Sequence, residues 1–130
     1  RYECPTANTG DFREPMVDIR HADGTEGLRL LYVGHRVIPG KPALPGLPAV
    51  YVEADDEAET LEIDLRDDRE SSGIMVTLRY TVFSGRNVIA RSCRIHNHGP
   101  EPCTILRALS AAVDVPAAGQ DLLTLPGAWG

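Results

Sequence analysis

Apolar and polar residues alternate with a period of two along most of this chain, in short runs separated by Gly, Pro, Asn and Asp at intervals of roughly 8 to 15 residues. That spacing predicts an all-β fold with little room for helix. The clearest run is residues 74–83, where Ile74, Val76, Leu78, Tyr80 and Val82 share one face and Met75, Thr77, Arg79 and Thr81 the other. Residues 59–65 repeat the pattern, with Leu61, Ile63 and Leu65 opposite Glu62, Asp64 and Arg66. Residues 15–21 and 27–38 read as strands on either side of Asp23-Gly24, a hairpin signal. Residues 49–53 read as another strand. Ser84-Gly85 turns the chain into a strand over residues 88–95, and a turn at 97–100 reverses it again into 103–115. Within that last stretch a helical turn over 106–112 is the alternative to strand. Consecutive antiparallel strands, each with an apolar face, must bury those faces against a second sheet, so an antiparallel β-sandwich is the expected architecture.

Between the second strand and the acidic tract lies a different kind of sequence. Pro42, Pro45 and Pro48 fix φ and remove backbone donors, so residues 41–48 must cross the surface as an extended connector. Asp55, Asp56, Glu57 and Glu59 follow, and a charge run ahead of a strand reads as a solvated face before it reads as a calcium site or a general acid.

At 130 residues, with 42% hydrophobic and 25% charged residues, the chain is one ordinary globular domain or part of one. The net charge of −6, with acids concentrated between residues 53 and 70, repels polyanions, so no nucleic-acid partner is expected. No apolar run reaches the ~18 to 20 residues of a membrane span, and residues 1–10 lack the order of a signal peptide, so no membrane partner is expected. Three cysteines, Cys4, Cys93 and Cys103, cannot all pair within one chain and match no zinc spacing, which fits a reducing, cytoplasmic setting. A hairpin at 97–99 would set Cys93 opposite Cys103, but the burial habit of free cysteine favours two small core residues.

Candidate chemistry is sparse. His96 and His98 would face one side of a strand and could seed a metal site, but no third ligand of matching spacing accompanies them, so the pair reads as decoration of a solvated turn and no metal or other cofactor is expected. His21 and His35 stand alone. No nucleophile elbow surrounds any serine, and the glycines are dispersed in turns where no phosphate loop forms. The exception is residues 9–15, Thr-Gly-Asp-Phe-Arg-Glu-Pro, in which a Gly-to-Pro bracket directs Asp11 and Arg13 together. These two residues are the candidates for an ion pair at an interface or for contact with a sugar hydroxyl.

The segments YECPTANTGDFREP, VIPGKPALPGLPAVYVEADDEAETLEI, VTLRYTVFSGRNVIARSCRI, ILRALSAAVDVP and LLTLPGAWG, in that order across nearly the whole chain, resemble the N-terminal region of the glycoside hydrolase family 36 α-galactosidases. The resemblance implies that residues 1–130 are part of a galactose-mutarotase-like β-supersandwich, with a catalytic (β/α)₈ barrel and a C-terminal domain elsewhere in the full-length parent. It implies a retaining glycosidase acting on terminal α-galactosides of melibiose- and raffinose-type oligosaccharides, whose two catalytic aspartates lie in the barrel, so that no catalytic residue falls in this chain. It also implies a homo-oligomer in which the N-terminal domain reaches a neighbour's active site, with the reaching residues upstream of Arg1. Cys93, His96 and His98 stand where the family usually shows ordinary polar or small residues. The alternative is a stand-alone carbohydrate-binding or mutarotase-like β-sandwich. Aromatic content of 5%, with Tyr32, Tyr51 and Tyr80 in apolar strand patterns, favours the accessory domain.

Overall fold

The computed structural model describes residues 2–46, 50–54 and 57–116, together with Ala118, Gly119, Asp121, Leu123 and Gly127. Six strands make up its regular structure: β1 (Val17–Arg20), β2 (Leu30–Pro39), β3 (Ala58–Asp67), β4 (Ile74–Phe83), β5 (Ile89–Asn97) and β6 (Thr104–Ala108). β2, β3, β4 and β5 form an antiparallel meander in chain order, and β1 pairs antiparallel with β6 in a second, two-stranded sheet. Among the described residues there is no α-helix, so the all-β antiparallel sandwich stands, and residues 106–112 run extended to Ala108 and then irregularly.

The two sheets meet over one core. Met16, Val17 and Ile19 from the small sheet, Cys4 and Leu28 from the segments beside it, and Ile74, Val76 and Leu78 from β4 are buried together, with Ile63, Leu65, Tyr80 and Ile95 packed against them. The alternation read in β4 thus puts its apolar face inward through Leu78, and each such side chain contributes roughly 1.5–3 kcal/mol on full burial. Val82, at the end of that face, emerges into solvent. Arg91 of β5 ties the margins of the two layers together. Its guanidinium lies 4.8 Å from the centre of the Tyr80 ring and donates to the Ala112 carbonyl (3.4 Å) and the Glu3 carboxylate (3.0 Å). Tyr80 in turn donates its hydroxyl to the same Glu3 oxygen at 2.5 Å.

The outer face of the four-stranded sheet is polar but not bare. Glu62 is only 2% exposed, because Arg36 of β2 and Arg79 of β4 close on it from both sides, Arg79 Nε at 2.6 Å. Asp64 accepts from Thr77 at 2.6 Å, and the hydroxyls of Thr60 and Thr81 meet at 2.7 Å beneath the Gly40 carbonyl.

Three expectations need correction. Asp23-Gly24 does turn the chain, with Gly24 at φ +83° and the His21 N–H bonded to the Thr25 carbonyl, but the return strand stops at a single Arg20–Glu26 bridge. At Gly27 (φ +96°) the chain leaves the small sheet, and β2 pairs with β3 instead. The turn after β5 likewise carries the chain between sheets, so β6 pairs with β1. Cys93 therefore faces Leu78 across the ladder, all three cysteines are free, and Cys93 and Cys103 are half-buried against the core while Cys4 is buried within it. Finally, Val50, Tyr51, Val52 and Glu53 form no strand. Both edges of β3 are already taken by β2 and β4, and Tyr51 stands 76% exposed. Residues 47–49, Asp55, Asp56 and Trp129, on which further sequence readings fell, lie outside the described residues.

Candidate functional site

Residues 9–15 form the most tightly specified loop outside the sheets. Thr9 donates its hydroxyl to the Thr6 carbonyl (2.9 Å), and Gly10 takes φ +78°, a conformation that glycine reaches without steric cost. Asp11 then accepts the Arg13 backbone N–H at 3.1 Å, a local turn that brings the two side chains together. Arg13 meets the carboxylate as a fork, Nε to Oδ1 at 3.0 Å and Nη2 to Oδ2 at 2.6 Å. The same guanidinium reaches Asp114 Oδ2 (2.8 Å) and the Tyr2 carbonyl (2.5 Å). One cation therefore pins three stretches of chain. The Asp11 side chain is 10% exposed and that of Arg13 23%.

The ion pair expected from the sequence is present, and the structure adds two residues to it. Asp114 carried no sequence signal, because it joins the site from 101 positions away. Phe12 did carry one: an aromatic between two charges, outside every alternating run. Its ring is fully exposed although the residues on both sides are held in place. Tyr2, Thr9, Asp11, Phe12, Arg13 and Asp114 line a shallow depression around it.

The Arg13 side chain, and then its backbone N–H, hold the Asp11 carboxyl down at about 2, against 3.8 for an unperturbed aspartate, and the same contact raises Arg13. A carboxyl depressed in the folded state stabilises it above the unfolded value and loses that contribution as pH falls through the folded one. Thermal stability should accordingly drop between pH 4 and pH 2 in a step that Asp11→Asn, uncharged throughout, lacks. Parallel melting curves across that range for both proteins would settle it, since coincident pH profiles leave the pair no role.

The remaining candidates stay apart from this loop. His21 is tucked against the Gly27 carbonyl (3.2 Å), His35 bonds the Tyr32 hydroxyl (2.5 Å), and His96 lies edge-on to His98 at the end of β5. Glu57 is half-buried and Glu59 exposed. Among the described residues no three His, Cys, Asp or Glu side chains gather where they could hold a metal. Tyr32 and Tyr51, assigned to apolar strand patterns by the sequence, are exposed.

Solved structures share this fold. The chain superposes with a TM-score of 0.82 on GH36 α-galactosidase AgaA variants from Geobacillus stearothermophilus in complex with stachyose and with raffinose, at 47% identity over 89% of this chain and 16% of theirs. The galactosidase domain of an α-galactosidase-sucrose kinase, AgaSK, gives a TM-score of 0.76 at 39% identity, over 84% of this chain and 15% of that one. By sequence it is 48% identical over 128 residues to α-galactosidase AgaA of Geobacillus stearothermophilus, and 37% identical over 126 residues to α-galactosidase Mel36A of Lactobacillus acidophilus. These matches cover 98% and 97% of this chain but 17% of each relative, so the chain spans about a sixth of their length. Residues 1–130 match the family described as glycosyl hydrolase family 36 N-terminal domain, and with fold and sequence in agreement the chain belongs to that family.

Proposed function

We propose that this chain is the non-catalytic N-terminal part of a retaining α-galactosidase acting on raffinose- and melibiose-type oligosaccharides, and that it serves as scaffold and as subunit interface in a homo-oligomer. Retaining hydrolysis needs two carboxyl groups ~5 to 5.5 Å apart facing one sugar. Two of the well-buried carboxylates here are held in ion pairs instead, Glu62 by Arg36 and Arg79 and Asp11 by Arg13. A third, Asp67, is closed in beneath His21 and accepts the Arg29 backbone N–H, with no sugar-sized opening among the described residues shared with either of the others. The exposed ones decorate strand ends and loops. Three free thiols support a reducing, cytoplasmic setting.

The observation that carries the interface role is Phe12. A fully exposed phenylalanine leaves a large apolar surface in water, and the fork between Asp11 and Arg13 holds its backbone so that little entropy remains to be lost when the ring is covered. That combination describes an anchor residue. On this reading the reaching element lies in residues 10–15, inside the chain, whereas the resemblance alone puts it upstream of Arg1. Asp11 and Arg13 then present Phe12 to a neighbouring subunit. The rival reading, a free-standing sugar-binding module, gains exposed Tyr32 and Tyr51, but the Tyr32 hydroxyl is already paired with His35.

In the full-length enzyme Phe12→Ala should weaken assembly by about 2 kcal/mol or more, the scale of an interface anchor. Arg13→Ala should lower melting temperature and oligomer content more than galactose affinity. Sedimentation beside a chromogenic α-galactoside assay tests both, with the 130-residue chain alone as a control that should show no turnover. Unchanged assembly in both variants with a large rise in KM would assign the loop to substrate, and turnover by the chain alone would overturn the non-catalytic reading.

A further inference from the structure

We infer that His96 and His98, with Met75 across the sheet, form a preorganised surface site for a late first-row divalent metal ion, copper(II) in preference to nickel(II) or zinc(II). The inference is independent of the glycosidase reading. Sequence spacing offered two imidazoles and no third ligand; strand register supplies one. His96 pairs with Met75 across β4 and β5, so their side chains leave the same face with Cβ atoms ~4.5 to 5.5 Å apart. His98 is two residues further on, and it lines the same cleft as Met75 and Glu70.

Ligand chemistry selects the metal. His96 Nδ1 and His98 Nε2 lie 2.7 Å apart, a ring-to-ring hydrogen bond that already brings both nitrogens within reach of one ion. Among late first-row divalent ions, copper(II) binds nitrogen ligands more tightly than nickel(II) or zinc(II). The Met75 thioether suits the weak axial position. At 2.7 Å without a metal, one ring donates its proton to the other. Binding requires both facing nitrogens bare, which the rings achieve by carrying their protons on His96 Nε2 and His98 Nδ1, with no net loss where both are neutral.

The support beneath the rings is rigid. His98 donates its backbone N–H to the Gly73 carbonyl (2.9 Å), the Gly99 N–H bonds Asn97 Oδ1 (2.9 Å), and Asn97 Nδ2 bonds the Glu101 carbonyl (2.8 Å). Little ordering entropy is left for the metal to overcome. Arg66 and Arg69 border the cleft, and Asp67 and Glu70 offset their charge.

Copper(II) titration of the full-length protein, read by electron paramagnetic resonance and by competition with a calibrated chelator, tests the site. The wild type should bind one copper with two imidazole nitrogens, nickel(II) and zinc(II) more weakly. His98→Gln and His96→Gln should each lose at least ~10-fold in affinity and one coordinated nitrogen, and Met75→Leu should shift the spectrum with a smaller loss. Circular dichroism confirms that the variants are folded, as the exposed rings imply. Equal copper affinity and nitrogen count in His98→Gln and wild type would overturn the inference, as would the absence of stoichiometric binding in the wild type.

Discussion

Gly73→Ala should destabilise this protein by more than about 3 kcal/mol, whereas Gly85→Ala should cost about 1 kcal/mol. Both glycines have positive φ, +64° and +70°, so both substitutions carry the same left-handed strain. Space separates them. A Cβ at Gly73 would lie 2.2 Å from the Gly99 nitrogen, 2.5 Å from its Cα and 2.8 Å from the His98 carbonyl carbon, all backbone atoms that no rotamer change can move. At Gly85 nothing lies within 4 Å. Relief at Gly73 requires the two turns to part, which breaks the His98-to-Gly73 hydrogen bond and pulls on the first rung of the β4–β5 ladder, Ile74 to Asn97. Ile74 is 2% exposed, so the disturbance reaches the core directly. Urea midpoints of the two variants, measured side by side, decide the matter. Equal losses would mean that the contact between the turns contributes nothing beyond backbone conformation.

That contact also marks the boundary of what the sequence discloses. β4 was legible from Ile74 to Leu78, where alternation alone gives each residue's face, but not at its end, where Thr81 and Phe83 are buried and Val82 is exposed. The phase of β3 was legible for the same reason, but the burial of Glu62 was not, since the two arginines that enclose it come from other strands. Pairing was the weakest level. The residues around Asn97-His98-Gly99 describe a reversal equally well whether the chain stays in its sheet or crosses to another, and the choice fell to β1, whose free edge takes β6. Val50 and Val52 carry strand-like chemistry, but β3, the strand they lead into, already has a partner on each side. The Asp11–Arg13 pair was legible because it closes over two residues, and Asp114 was not because it arrives from 101 positions away along the chain.

Those open edges lead to the last expectation: the 130-residue chain on its own should self-associate at high micromolar concentration. β2 and β5 flank the four-stranded sheet and, among the described residues, each has one side without a neighbouring strand. β2 is the more adhesive, since Tyr32, Val33 and Val37 are all exposed on a ten-residue strand. Its two ends differ. A register shift between Tyr32 and Gly34 twists the first half away from flat pairing, and Pro39 removes one donor at the other end, which leaves residues 35–38 as the stretch best able to accept a second copy. Exposed Ile105 and Leu106 on β6 add apolar surface elsewhere. The net charge of −6 opposes association, but repulsion is screened within ~8 Å at physiological salt, while apolar burial at ~25 cal/mol per Å² is not. Light scattering across a concentration series at two salt levels should therefore show dimers or larger species in both, and more of them at higher salt. Val37→Lys, which sets a charge on the 60%-exposed centre of the edge, should return the chain towards monomer. A strictly monomeric wild type at both salt levels would show that the edges are self-protected, and association unchanged by Val37→Lys would move the contact from β2 to the apolar surface of β6.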